Sequence, residues 1–162
     1  MGDENNYSEF YEDKAGEIIF VSIFVPEERE NLIKMYEEFS PERRCCGLPP
    51  LSRKGIEMWI DGLHSNGYGF IAKHGERVVG HIAAVPSGED AEFAIFIHQD
   101  YENKGVGSEL IRFASKFLKN RGIKRLRAIT ERTNRKAIET YKRLGFEVVG
   151  RDPEYLVMEK NI

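Results

Sequence analysis

Apolar positions change their period several times along the chain. From Glu17 to Val25 the residues are mostly Ile, Val and Phe, which predicts a strand. Pro26 follows, with Glu27 and Glu28 behind it. Proline suits the first turn of a helix and acids favour its positive end, so a helix is expected there. Leu32, Ile33, Tyr36 and Phe39 share its face, and Ser40-Pro41 ends it. After a loop over 40–51, Ser52 can cap a second helix with Ile56, Trp59, Ile60 and Leu63 on one side. Tyr68–Lys73 and Arg77–Val85 read as a hairpin around His74-Gly75-Glu76, and Ala91–His98 as the next strand after Pro86-Ser87-Gly88. Leu110, Ile111, Ala114, Phe117 and Leu118 form the stripe of a long helix. Leu126–Thr130 is a short strand. Arg135–Leu144 is a helix closed by Gly145, and Phe146–Gly150 and Tyr155–Glu159 are two final strands.

This order predicts an α+β chain with a mixed, mainly antiparallel sheet flanked by helices, because tight turns join its central strands. Residues 1–15 are polar and acidic and are expected to be a loosely held tail, with Tyr7, Phe10 and Tyr11 as its only anchors; 16–162 is expected to be one domain. No apolar run approaches the roughly 20 residues that span a bilayer, and the start lacks the basic and apolar regions of a secretion signal. A cytoplasmic protein without a membrane partner is the expectation. The net charge of −3 argues against a nucleic-acid partner. The front of the chain is acidic, however, and Lys116 to Arg143 is rich in Lys and Arg, which fits an anionic small ligand near the back half. Cys45 and Cys46 are adjacent and cannot staple distant segments, and no cluster has metal-ligand spacing, so a metal is not expected.

The stretch from Ile95 to Leu110 runs strand, polar loop, two glycines, helix. Free N–H groups at a helix start bind anions, and glycine lets a phosphate approach the backbone. A Walker A loop fails, because Val106-Gly107-Ser108 follows Gly105 where Gly-Lys-Ser or Gly-Lys-Thr is needed. A dinucleotide fingerprint fails at Leu110, where its third glycine belongs. Further on, Asn134, Ala137 and Tyr141 fall at i, i+3 and i+7 on one helix face.

These two segments resemble the acetyl-CoA-dependent N-acyltransferases of the GNAT superfamily. Glu102-Asn103-Lys104-Gly105-Val106-Gly107 matches its Gln/Arg-x-x-Gly-x-Gly/Ala turn, with Glu102 departing from Gln or Arg. Asn134 through Phe146 matches its Asn-x-x-Ala-x-x-x-Tyr-x-x-x-Gly-Phe segment, and the resemblance spans residues 17–160. It implies a three-layer α/β arrangement within the α+β class and acetyl-CoA as cosubstrate. It implies that Phe96, Ile97, His98, Glu102, Asn103, Lys104, Gly105, Val106, Gly107, Ser108, Asn134 and Ala137 meet that cosubstrate. Glu102 is expected to point outward, away from the pyrophosphate. A backbone N–H around Ile97 is the expected oxyanion donor, and Tyr141, a phenol protonated at neutral pH, the expected proton donor to the leaving thiolate. Glu92 is the expected general base, provided partial burial lifts its pKa toward neutrality; His98 is its rival. Ala91-Glu92-Phe93-Ala94 also looks like Pat-type protein lysine acetyltransferases, in which this glutamate is the base. A protein lysine is the leading acceptor, with a small amine or an N-terminus as alternatives and a non-catalytic acyl-CoA sensor as the rival class. The family also allows a sheet-edge homodimer.

Overall fold

In the computed structural model, which describes residues 8–44 and 48–162, all strands join one sheet. In chain order the elements are β1 (Ser8–Glu12), β2 (Ile18–Ile23), α1 (Arg29–Glu37), α2 (Arg53–Asn66), β3 (Tyr68–His74) and β4 (Arg77–Ser87). They continue with β5 (Asp90–Ile97), α3 (Val106–Lys119), β6 (Arg125–Glu131), α4 (Arg135–Arg143), β7 (Glu147–Arg151) and β8 (Tyr155–Asn161). The spatial order is β1-β2-β3-β4-β5-β6-β8-β7, and every pairing is antiparallel except β5 with β6. Cys45 and Cys46 lie outside the described residues.

Of the segment expected to be a tail, residues 1–7, Tyr7 among them, lie outside the described residues, and Ser8–Glu12 pair with β2 from Glu12↔Ile18 through Ser8↔Ser22 as an edge strand. Asp13 makes the turn possible: its Oδ1 accepts the N–H groups of Ala15 and Glu17 at 2.9 and 2.8 Å. The partner that orders this segment is β2, which the segment's own composition does not announce.

Side-chain alternation divides the core into two layers. Phe70, Ile82 and Phe93 face α3 and α4, where Phe113, Phe117 and Leu110 are buried. Ile71, His81 and Phe96 face α1 and α2, beside Leu32, Ile33, Tyr36, Ile56 and Ile60. The helices begin where the sequence supplies a cap. Ser52 Oγ accepts from Gly55 N–H at 3.0 Å, and Asn134 Oδ1 from Ala137 N–H at 3.3 Å, each satisfying an amide that the first turn leaves open. The start of α3 packs hard on the sheet. A Cβ at Gly80 would stand 2.9 Å from Leu110 Cδ1 and 3.1 Å from Val106 Cγ1, so a bare glycine in β4 lets this helix come close. Among the described residues no helix is long and apolar enough to cross a membrane.

Candidate cofactor and acyl-transfer site

Between the start of α3 and the face of α4 lies a cleft of about 730 Å³. Its position follows from the sheet. β5 and β6 pair from Asp90↔Arg125 to Phe93↔Ala128 and then part, although both strands continue. His98 N–H donates to Val79 O on the β4 side at 2.9 Å. Alternation therefore turns the N–H of Ile97 the other way, into the opening between β5 and β6.

At the outer end of the cleft, the turn before α3 holds two residues in the left-handed region, Asn103 at φ 60° and Gly105 at φ 89°. Such a reversal turns successive amides toward one point, and the first turn of α3 adds its own unpaired N–H groups. Lys104 stays near this turn with its ammonium 4.9 Å from the Tyr101 ring centre. The cleft's lining holds six Lys and Arg against four Glu, a balance that suits a polyanion.

Ile97, Glu102 through Ser108, Asn134, Ala137 and Tyr141 all line this cleft, so the two sequence segments do converge. Asn134 spends its side-chain oxygen on the cap of α4 and keeps its amide N–H groups for other partners. Tyr141 is 8% exposed and packs, ring to ring at 5.7 Å and 89°, against Phe93, the last residue of β5 that pairs with β6. Burial pushes its phenol up to about 12, which keeps the proton on it at neutral pH.

Several expectations need correction. Phe96 does not line the cleft; it faces α1 and α2 and packs on Trp59 at 5.2 Å and Tyr36 at 5.7 Å. His98 is buried and does not line it either. Its Nδ1 accepts Asp100 N–H at 3.1 Å, and its Nε2 lies 3.1 Å from both Glu38 Oε2 and Arg77 Nη2, so both ring nitrogens are engaged. It pins the end of α1 and has no free lone pair for an amine. Glu102 does not point outward. It lines the cleft, paired with Arg43 Nη1 and with Lys136 Nζ at 3.4 Å. Burial opposes its ionisation, but hydrogen bonds and charge from Arg43 and Lys136 outweigh that and hold the carboxyl below its usual range. Glu92 is exposed, so the partial burial expected of a base is missing; it stands across from Val85 and beside Arg127. Because Phe93 faces Tyr141, its neighbour Glu92 faces the opposite side of the sheet, the side of α1 and α2.

Sequence reasoning missed Arg43, which enters from the segment after α1 and donates through Nη2 to Ile97 O at 3.4 Å. It also missed the contribution of β1 and its turn, since Tyr11 and Lys14 line the cleft. A third omission is a buried polar chain under the sheet: Tyr36 Oη meets His81 Nδ1 at 2.5 Å, and His81 Nε2 meets His64 Nε2 at 2.9 Å. Burial lowers the pKa of both histidines, so each stays neutral and one can donate to the other.

Known proteins show the same framework. The GNAT domain of PAT from S. lividans superposes with a TM-score of 0.83 at 20% identity, over 96% of this chain and 97% of that one. The PaiA N-acetyltransferase of Thermoplasma acidophilum, solved in complex with coenzyme A, gives 0.70 at 23% identity over 89% and 99%. In sequence, the uncharacterized N-acetyltransferase MJ1207 of Methanocaldococcus jannaschii is 32% identical over 97 residues, 55% of this chain and 42% of its own length. Mycothiol acetyltransferase of Corynebacterium jeikeium is 35% identical over 63 residues, 39% of this chain and 18% of its own length. The matched part thus spans less than half the length of these curated relatives. The model of the acetyltransferase (GNAT) family matches residues 30–146, most of the chain and both cleft segments, and the chain belongs to that family.

Proposed function

We propose that this chain is an N-acetyltransferase that moves the acetyl group of acetyl-CoA to a primary amine by direct attack in a ternary complex, with a protein lysine as acceptor. The observation that carries this is the parting of β5 from β6 after Phe93 and Ala128, with the Ile97 amide turned into the opening and Tyr141 beside it.

The residues present fit the cosubstrate. Amides and glycines of the turn 103–108 suit a diphosphate, and the Asn134 side of α4 suits the amides of a pantetheine arm. Acetyl-CoA supplies a thioester whose carbonyl carbon the amine attacks. As the C–N bond forms, the Ile97 N–H stabilises the oxygen's growing charge, a contribution of about 2.7–4 kcal/mol where such a donor has been removed elsewhere. As the C–S bond breaks, Tyr141 gives its proton to the sulfur. The amine's own proton leaves on the other face, toward Glu92. That exposed carboxylate receives it through water, since a group open to solvent has a relay at hand.

The division of labour between faces supports an acceptor arriving from the α1 and α2 side, where Phe96 and Trp59 are half-buried and Glu92 is exposed. A lysine side chain, an apolar stem ending in a cation, suits that surface. The likeness of Ala91-Glu92-Phe93-Ala94 to Pat-type enzymes and the superposition on the PAT domain support the same choice over a small amine or an N-terminus. A homodimer through an open sheet edge, at β1 or β7, and a cytoplasmic location belong to this reading. The test is release of free thiol from acetyl-CoA with lysine-bearing proteins and small amines, acetylated products being mapped by mass spectrometry. Saturable CoA binding without thiol release from any amine would make the chain a sensor.

A further inference from the structure

We propose that Arg43 and Glu102 are positioning residues that tie the cofactor turn to the segment after α1, so that filling the cleft tightens that segment on the acceptor side. This rests on the acetyl-CoA reading above. A carboxylate in an anion-binding turn is costly unless cations answer it, and Glu102 is answered from two directions. Arg43 contacts its Oε1 through Nη1 while Nη2 holds Ile97 O at 3.4 Å. Lys136, at the start of α4, reaches the same Oε1 at 3.4 Å. Glu102 therefore links the turn to α4 on one side and to residues 41–43 on the other.

The two cations are held differently. The planar fork of Arg43 is fixed at two points and its side chain is 26% exposed, whereas Lys136 has one contact there and its side chain is 55% exposed. A diphosphate seated on the turn competes for positive charge. Lys136, a mobile point charge, can follow it; Arg43 cannot without releasing Ile97 O. When Lys136 turns to the phosphates, the charge of Glu102 falls to Arg43 alone and that pair strengthens.

The same stretch of chain already grips the end of α1. Gln99 Nε2 donates to Glu38 O at 2.7 Å, Gln99 Oε1 accepts from Ser40 N–H at 3.4 Å, and His98 Nε2 meets Glu38 Oε2 at 3.1 Å. Residues 97–102 thus face two ways: Ile97 and Glu102 toward the cleft, His98 and Gln99 toward residues 38–40. Arg43 also holds the carbonyl of the residue whose amide is to polarise the thioester, so the pair fixes the direction of that donor.

Hydrogen exchange at the amides of Arg43 and Arg44, which bond Ser40 O and Pro41 O at 3.0 and 3.2 Å, reads this coupling without a known acceptor. Exchange is measured by mass spectrometry without CoA and with saturating CoA, binding being measured by calorimetry in the same samples. In the unaltered protein CoA slows these amides by about tenfold. In Arg43→Gln and Glu102→Gln they exchange faster and do not respond to CoA at concentrations that saturate each variant. Glu102→Gln removes a like charge near the phosphates and binds CoA about threefold more tightly. CoA binding with no change at these amides in the unaltered protein, or an undiminished response in Glu102→Gln, overturns the coupling and leaves the cofactor reading standing. A calorimeter that records no CoA binding overturns both.

Discussion

Replacing Gly105 by alanine tests whether the backbone at the start of α3 receives a phosphate. Gly105 sits at φ 89°, where a side chain strains the backbone by about 1–2 kcal/mol. A Cβ built there has nothing within 4 Å, so the protein itself adds no clash. Gly75, in the turn between β3 and β4, provides a matched control: its φ is 59° and its Cβ would also meet open space. Both alanine variants should therefore lose a similar 1–2 kcal/mol when free, roughly 2–8 °C in melting temperature for a chain of 162 residues. They should differ once CoA is added. At 100 times its Kd, CoA stabilises the folded protein by about 2.7 kcal/mol. A methyl group that holds the diphosphate off the amides and weakens binding tenfold removes about 1.4 kcal/mol of that. Thermal unfolding with and without CoA should show Gly75→Ala keeping its full CoA shift and Gly105→Ala keeping about half. Equal CoA shifts in the two variants would refute a phosphate at this turn.

Three further outcomes follow from the same geometry. Tyr141→Phe should lower kcat by about 10²-fold or more and leave the KM for acetyl-CoA little changed, as steady-state thiol release would show; an unchanged kcat removes the phenol from its role. Glu92→Gln should slow transfer while CoA binding by calorimetry stays as in the unaltered protein, and equal rates would pass the base to water alone. Burial pulls the pKa of His64 down to about 4, against a weaker opposing pull from Asp61. A depressed folded pKa gives stability that is complete above the unfolded value near 6.5 and is lost as pH falls through about 4. Melting temperature should therefore drop from pH 6.5 to 4, and His64→Gln should flatten part of that slope; an identical slope in the variant would mean that other groups set it.

The parts of the site that were legible in the sequence are those whose chemistry is local. Gly105 before an apolar helical stripe, and Asn134, Ala137 and Tyr141 at helical spacing, name a loop and a face without reference to anything distant. What was not legible depends on long-range partners. Arg43 meets Ile97 across 54 positions, and no spacing rule reaches that far. The direction of Glu102 is set by that same arginine, so its inward turn could not be foreseen without it. Ser8–Glu12 became a strand because β2 offered an edge, not because its own pattern demands one. The assignments of Phe96 and His98 overlooked a signal that was available. In a strand only alternate residues share a face, so Phe96, Ile97 and His98, consecutive at the end of β5 and just past it, could not all meet one ligand. Glu92 was readable as an unusual acid in an apolar strand, but its exposure reflects the end of helical cover over that part of the sheet, which no local pattern shows.

A crystal structure with a non-hydrolysable acetyl-CoA analogue measures the arrangement most directly. The diphosphate should lie on the amides of 103–108, with the acyl oxygen within about 3 Å of the Ile97 nitrogen and the sulfur within hydrogen-bonding reach of Tyr141 Oη. An analogue bound with its acyl group outside the opening between β5 and β6, or with its sulfur turned away from Tyr141, would contradict the account.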